Sequence, residues 1–169
     1  MNVQRYAHLL VIGYGNSLRG DDGVGPRLAE ALGLLRLPFV RTVICQQLSP
    51  EHSGVVSQAH TVVFADASVD EPRTVQFRPL LPGGHAQLMA HAADPRTILA
   101  FARAVFDHTP AAWWLTIPAT RLEFGEVFSP ETEAGYQEAY RRLRAFAEQF
   151  AERSCHASGR KERAFANRG

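Results

Sequence analysis

The sequence is poor in lysine and cysteine and contains no long apolar run. Lys161 is the only lysine among the 18 basic residues, which excludes a lysine-dependent phosphate loop in the body of the chain. Cys45 and Cys155 are the only cysteines and provide no disulfide framework. No stretch approaches the roughly 20 apolar residues that span a bilayer, and the N-terminus lacks an apolar run of signal-peptide type. We therefore expect a cytoplasmic protein without a membrane partner.

The overall balance is that of an ordinary globular domain. Of the 169 residues, 46% are hydrophobic and 21% are charged, and this length suits one domain with a sizeable core. The formal net charge is +1, so nothing in the charge balance indicates a nucleic-acid partner. A basic segment closes the chain, and we expect a single domain over residues 1–150 followed by a flexible tail over 151–169.

Apolar and alternating segments predict the order of the structural elements. Five of them are typical of strands: 8–14, 40–46, 60–66, 73–79 and 112–118. Pro26 belongs in a first helical turn, which predicts a helix from about Asp22 to Leu35. The pairs Ser49-Pro50, Asp94-Pro95 and Ser129-Pro130 each combine an N-cap residue with a proline suited to the first helical position. The resulting alternation predicts an α/β protein, a three-layer α/β/α sandwich around a mostly parallel five-stranded sheet.

The glycine-rich segment GYGNSLRGDDGVG, residues 13–25, follows the first predicted strand. A dinucleotide fingerprint requires a third glycine three positions after Gly15, where Leu18 stands. It also requires an acid at the end of the next strand, where Cys45 is followed by two glutamines. A nucleotide-binding α/β protein therefore remains only a weak alternative.

Two adjacent acids, Asp21 and Asp22, lie in this segment, and a third, Asp66, follows the apolar run of the third strand. The helix dipole favours one acid at the start of the first helix, so we expect Asp21 to cap it. Carboxyl ends of parallel strands share one edge of a sheet, which predicts that Asp22 and Asp66 face one crevice. Two carboxylates in one crevice require a cation, since one of them otherwise takes up a proton.

A histidine could complete this oxygen set. His85 and His91 both lie in the segment before the helix that starts at Pro95, and the spacing alone does not choose between them. One imidazole and two carboxylates suit nickel, zinc or a similar borderline ion.

Four separated segments resemble the hydrogenase maturation endopeptidases, which process the large subunit of nickel–iron hydrogenases. They are GYGNSLRGDDGVGPRLAEAL, VVFADAS, HAADPRTILAFAR and FGEVFSPETEAG, and together they cover roughly residues 8–150. The first segment is similar to the N-terminal signature of the family almost throughout, and the other three follow in the family's order. The resemblance implies an α/β/α sandwich with three metal-binding side chains.

Carried over by the resemblance, those side chains are Asp22, Asp66 and His91, the last rather than His85. Asn16 and Asp21 are expected to orient the glycine turn and its carboxylate. The implied activity is an endopeptidase that removes the C-terminal extension of a hydrogenase large-subunit precursor after nickel insertion. The nickel belongs to the precursor, zinc or cadmium can substitute in vitro, no organic cofactor is implied, and we expect the free protein to be a monomer.

The chain contains no Gly-x-Ser-x-Gly and no His-Glu-x-x-His motif, which agrees with a protease that lacks a nucleophile of its own. Two other interpretations stay open: a protease with a cysteine nucleophile, and a module that binds the precursor without cutting it. Cys45 could be proposed as a nucleophile, but we expect it to be a small buried apolar residue. A module that checks for nickel in the precursor without cutting it is the alternative function.

Overall fold

The computed structural model describes residues 8–70, 73–84 and 94–166, with side chains up to residue 157. The strands are β1 (Leu9–Tyr14), β2 (Val40–Cys45), β3 (Thr61–Ser68), β4 (Gln76–Leu80) and β5 (Ala111–Pro118). The helices are α1 (Val24–Leu34), α2 (His52–Ser57), α3 (Pro95–Phe106) and α4 (Pro130–Ala166), and a 3₁₀ helix over Gly20–Gly23 precedes α1. The predicted order of strands and helices is confirmed.

The strands form one sheet in the order β2-β1-β3-β5-β4. All neighbouring strands are parallel except β4, which pairs antiparallel with β5 at one edge. The mostly parallel five-stranded sheet is therefore confirmed, with β2 and β4 as its edge strands.

Alternate residues of the buried strands point into two separate cores. Leu9 and Val11 pack with α1 and α4 on one face of the sheet. Leu10 and Ile12 pack with α2 and α3 on the other face. The structure is therefore the three-layer α/β/α sandwich that the sequence predicts.

Two of the three predicted helix starts are confirmed. The Asp94 side chain caps α3 by accepting a hydrogen bond from the Arg96 N–H at 2.7 Å, and Pro95 is the first helical residue. The Ser129 hydroxyl accepts from the Thr132 N–H at 3.3 Å at the start of α4. The prediction at Ser49 is wrong, because α2 begins at His52 and the Ser49 hydroxyl donates to the Glu51 carboxylate instead.

Helix α4 crosses the predicted domain boundary at residue 150 without interruption and continues to Ala166. Ala151 and Ser154 are still buried, which shows that packing on the domain extends past the boundary. The predicted flexibility of the tail stays a prediction. Among the described residues, no helix combines the length and apolarity required to traverse a bilayer.

Two glycines allow the start of α1 to pack closely against the carboxyl ends of β1 and β3. A Cβ atom on Gly25 would collide with the carbonyl oxygens of Ala65 and Tyr14, which belong to β3 and β1. A Cβ atom on Gly13 would collide with the backbone of Gly25 in the same way. The absence of these side chains allows the 3₁₀ helix and its acids to lie directly over the carboxyl ends of β1 and β3.

Candidate functional site

Asp22 is held by the glycine turn that precedes it. Its carboxylate is half-buried and accepts a hydrogen bond from the backbone N–H of Asn16 at 2.8 Å. Gly15 has φ +135, and a Cβ atom there would collide with the backbone carbonyl of Asp22. The turn therefore closes tightly around Asp22 because residue 15 is a glycine.

Asn16 contributes through its backbone and its side chain separately. The backbone N–H binds Asp22, while the side-chain Oδ1 accepts a hydrogen bond from the Leu18 N–H at 3.0 Å. This second bond forms a local Asx turn that stabilises the loop. Asn16 thus lies next to the Asp22 carboxylate, and its role in orienting that carboxylate for a ligand stays a prediction.

Asp66 lies in β3, two residues before the end of the strand at Ser68. Burial raises the pKa of its carboxyl from the usual 3.8 to about 7, and the nearby charge of Asp22 acts in the same direction. The Tyr14 hydroxyl and the Ala67 N–H oppose this rise only in part. The charge of Asp22 therefore reaches the Asp66 carboxyl at the end of β3, next to the 3₁₀ helix that carries Asp22.

Two polar atoms next to this pair are buried without a hydrogen bond of good geometry within the described part of the chain: the hydroxyl of Tyr14 and the indole N–H of Trp114. Burial raises the pKa of Tyr14 well above its usual value, and the charge of Asp66 raises it further. Neither residue is among the site residues that the sequence predicts. Only the pairing of the strands indicates that they lie near the acids. Tyr14 ends β1, the strand beside β3, and Trp114 of β5 pairs with Phe64, two residues before Asp66.

Asp21 points away from Asp22 and is fully buried. The backbone N–H groups of Thr120 and Arg121 each donate to its Oδ2 at 2.8 Å, and the Ser129 N–H donates to Oδ1 at 2.6 Å. The Ser129 hydroxyl adds a bond of 2.7 Å to Oδ2. Burial alone would raise the pKa of Asp21, but these hydrogen bonds outweigh it and lower the pKa to about 2.

The expected capping role of Asp21 is therefore wrong. No side-chain cap is present at the start of the 3₁₀ helix or of α1. The carboxylate instead ties the glycine turn to the segment between β5 and α4, about a hundred residues away in the chain. That segment also joins the turn through its backbone, since the Gly20 N–H donates to the Gly125 carbonyl at 2.6 Å.

Both candidate histidines, His85 and His91, lie outside the described residues. Within the described residues, no three His, Cys, Asp or Glu side chains form a group that could hold a metal ion. Among the predicted ligands, Asp22 influences the Asp66 carboxyl through its charge, and metal ligation by either residue stays a prediction. The place of His91 stays a prediction.

Cys45 ends β2 directly beside Tyr14. Its thiol is half-buried, and burial raises its pKa above the usual value, with a smaller opposing effect of the Gln47 N–H. A thiol with a raised pKa is mostly protonated at neutral pH and is a poor nucleophile. This environment favours the apolar role over thiol catalysis.

The chemistry available at this edge is that of a paired carboxylate site. Asp22 is fixed by Asn16, and Asp66 exchanges a proton near neutral pH because its pKa is about 7. A cation between the two oxygens would relieve their repulsion and displace that proton. Two carboxylates by themselves suit a hard cation, and an added imidazole would shift the preference of the site toward a borderline ion such as nickel or zinc.

Comparison with known proteins gives a consistent result for the fold. No protein-family model matches the sequence. No curated protein is significantly similar to it either. Among solved structures, the hydrogenase maturating endopeptidase HybD from E. coli superposes with a TM-score of 0.65 at 20% identity, over 84% of this chain and 93% of that one.

Two archaeal structures are similar to this chain over the same extent. The hydrogenase 2 maturation peptidase from a Thaumarchaeota archaeon has a TM-score of 0.61 at 24% identity, over 83% of this chain and 99% of that chain. The [NiFe] hydrogenase maturation protease HybD from Thermococcus kodakarensis has a TM-score of 0.62 at 19% identity, with the same two coverages, 83% and 99%. The chain therefore has the fold of the hydrogenase maturation endopeptidases, as the resemblance of its four sequence segments implies.

Proposed function

We propose that this protein is an endopeptidase that removes the C-terminal extension from the large-subunit precursor of a nickel–iron hydrogenase after nickel insertion. One observation carries the proposal: Asp22, held by the Asn16 N–H in the glycine turn, acts through its charge on the buried carboxyl of Asp66 at the end of β3. The shared fold with proteins named as hydrogenase maturation endopeptidases supports it. The four sequence segments, in the same order, support it independently.

In this proposal the nickel arrives as part of the substrate and is recognised by Asp22, Asp66 and His91. Asn16 presents the Asp22 carboxylate through its backbone N–H, so this ligand is oriented before the precursor docks. Asp66 changes its protonation state on binding, because an incoming cation displaces the proton from a partly protonated carboxyl and leaves a carboxylate ligand. The empty site is electrostatically unfavourable, which couples docking to the presence of nickel in the precursor.

The experiment compares nickel-loaded and nickel-free forms of a hydrogenase large-subunit precursor from the same organism, incubated with the purified protein. Mass spectrometry of the products reports whether the C-terminal extension is lost. We expect cleavage only of the nickel-loaded form, and none with an Asp66→Asn variant of the protein. A nickel-loaded precursor that binds but stays intact would support the non-cleaving checkpoint instead, and cleavage of the nickel-free form in a chelator would refute nickel recognition.

A further inference from the structure

Two arginines from different elements lie against one tryptophan at the β4 edge of the sheet. The guanidinium carbon of Arg78, in β4, lies 5.2 Å from the centre of the Trp114 ring. The guanidinium carbon of Arg96, in the first turn of α3, lies 5.7 Å from the same ring. Both distances are within the range of attractive contacts between a cation and an aromatic face.

Neither arginine has an acidic partner among the described residues. The ion pairs in this part of the chain join Arg142 to Glu138 and Arg144 to Glu148, both within α4. Asp94 is the neighbouring acid, but its carboxylate accepts from the backbone N–H of Arg96 rather than from a guanidinium. Two positive charges are therefore placed at one ring, and within the described part of the chain no hydrogen bond engages their planar N–H donors.

This cluster adjoins the carboxylate pair. Trp114 pairs with Phe64, and Asp66 follows Phe64 by two residues, so the Trp114 and Asp66 side chains project from the same face of the sheet. The Tyr14 hydroxyl is influenced by both the Asp66 carboxyl and the Trp114 indole, which places these three groups in one neighbourhood. A peptide bound at Asp22 and Asp66 would reach the two arginines with its neighbouring residues.

We propose that Arg78 and Arg96, in contact with the Trp114 ring, form a binding site for a carboxylate of the substrate peptide. A guanidinium presents its N–H donors in a fixed fork, which binds a carboxylate with two parallel hydrogen bonds. The carboxylate is either the C-terminal carboxylate of the peptide or that of an Asp or Glu side chain. That the ligand belongs to a peptide substrate rests on the proposed function, whereas the carboxylate site itself does not.

The test uses the complete protein, without precursor or metal, labelled with nitrogen-15 for NMR. The protein has two tryptophans, and a Trp113→Phe variant assigns the indole N–H signal of Trp114. Three probes are titrated: N-acetyl-Ala-Ala with a free C-terminal carboxylate, N-acetyl-Ala-Ala amide, and N-acetyl-Ala-Glu amide. We expect the Trp114 signal to shift with a carboxylate-bearing probe and to stay in place with the uncharged amide.

Substitution identifies the binding groups. Arg78→Gln and Arg96→Gln should each weaken binding by about five-fold or more, since each removes one charged hydrogen-bonding partner. Arg103→Gln, which removes an exposed arginine from the last turn of α3, should bind as the unaltered protein does. If only N-acetyl-Ala-Ala with its free carboxylate shifts the Trp114 signal, the site binds a C-terminal carboxylate. If only N-acetyl-Ala-Glu amide shifts it, the site binds a side-chain carboxylate.

Equal shifts with the acid and the amide, no shift with any probe, or an equal loss in Arg103→Gln would each overturn the proposal. These outcomes leave the cleavage reaction untouched, because no precursor is present. Conversely, a protein that binds the carboxylate probe but never cuts a nickel-loaded precursor would refute only the proposed function.

Discussion

Asp21 and Asp22 are adjacent in the chain, yet their carboxylates bind in opposite directions. Asp22 accepts the N–H of Asn16 within the glycine turn, and Asp21 accepts donors from Thr120 and Ser129 across the molecule. Adjacent residues in a 3₁₀ helix are separated by roughly a third of a turn, which allows two neighbouring acids to serve different surroundings. One of them anchors the fold and the other faces the proposed substrate.

This division predicts opposite phenotypes for the two acids. Asp21→Ala leaves the N–H groups of Thr120, Arg121 and Ser129 without their acceptor, so we expect a loss of about 3 kcal/mol or more in the free energy of unfolding. Asp22→Ala should change stability by less than about 1 kcal/mol and should abolish cleavage. Urea unfolding and precursor processing, measured on both variants, check this. Equal loss of stability in the two variants would contradict the assignment.

Asp66 should give the folded protein a distinctive dependence on pH. Its pKa is raised to about 7 from 3.8, so the folded state binds more protons than the unfolded state between these values. Stability therefore falls as the pH rises from about 4 to about 7, by at most about 4 kcal/mol, and then levels off. We expect Asp66→Asn to lack this slope in urea unfolding between pH 4.5 and 8. Parallel curves for the two proteins in that interval would show that burial does not perturb Asp66.

The stability supplied by Asp21 has the opposite sign and a separate window. Its pKa is lowered to about 2, so its contribution is complete above about pH 4 and is lost as the pH falls toward 2. Asp21→Asn keeps a similar shape but not the charge, and it should flatten the acid limb of the stability curve. The Asp66→Asn variant serves as the control, because its acid limb should stay unchanged.

Metal binding by the isolated protein should be weak and should depend on both carboxylates. We expect calorimetry to detect nickel, zinc or cadmium binding that is lost in Asp22→Ala, Asp66→Ala and His91→Ala, while His85→Ala remains close to the unaltered protein. The protein should be purified without stoichiometric metal. If His85→Ala abolished binding and processing while His91→Ala retained both, the histidine carried over from the family would be the wrong one.

Cys45 should be dispensable for peptide cleavage. Cys45→Ala removes a half-buried thiol whose pKa is raised by burial, so we expect a modest loss of stability and measurable cleavage. Processing of the nickel-loaded precursor by this variant is the measurement. A folded Cys45→Ala protein that no longer cut would indicate thiol catalysis.

The local features of this protein could be predicted from the sequence. Strand and helix order follows from apolar periodicity, and the starts of α3 and α4 follow from Asp94-Pro95 and Ser129-Pro130. That Asp22 and Asp66 belong to the same end of the sheet also follows from the sequence, because parallel strands end at one edge, and the charge of Asp22 does act on Asp66. Each of these predictions depends either on a few neighbouring residues or on a general rule of sheet geometry.

Only the tertiary structure decided where the remaining side chains act. The sequence around Asp21 predicts a helix cap. Its hydrogen-bond partners instead lie about a hundred residues away in the chain, and nothing near Asp21 in the sequence indicates them. The arginines at Trp114 come from β4 and α3, and Arg78 reaches the ring only because β4 pairs antiparallel with β5. The raised pKa of Asp66 likewise arises from burial by the whole fold. Local preferences determine which elements form, whereas strand order and packing determine which distant groups share a site.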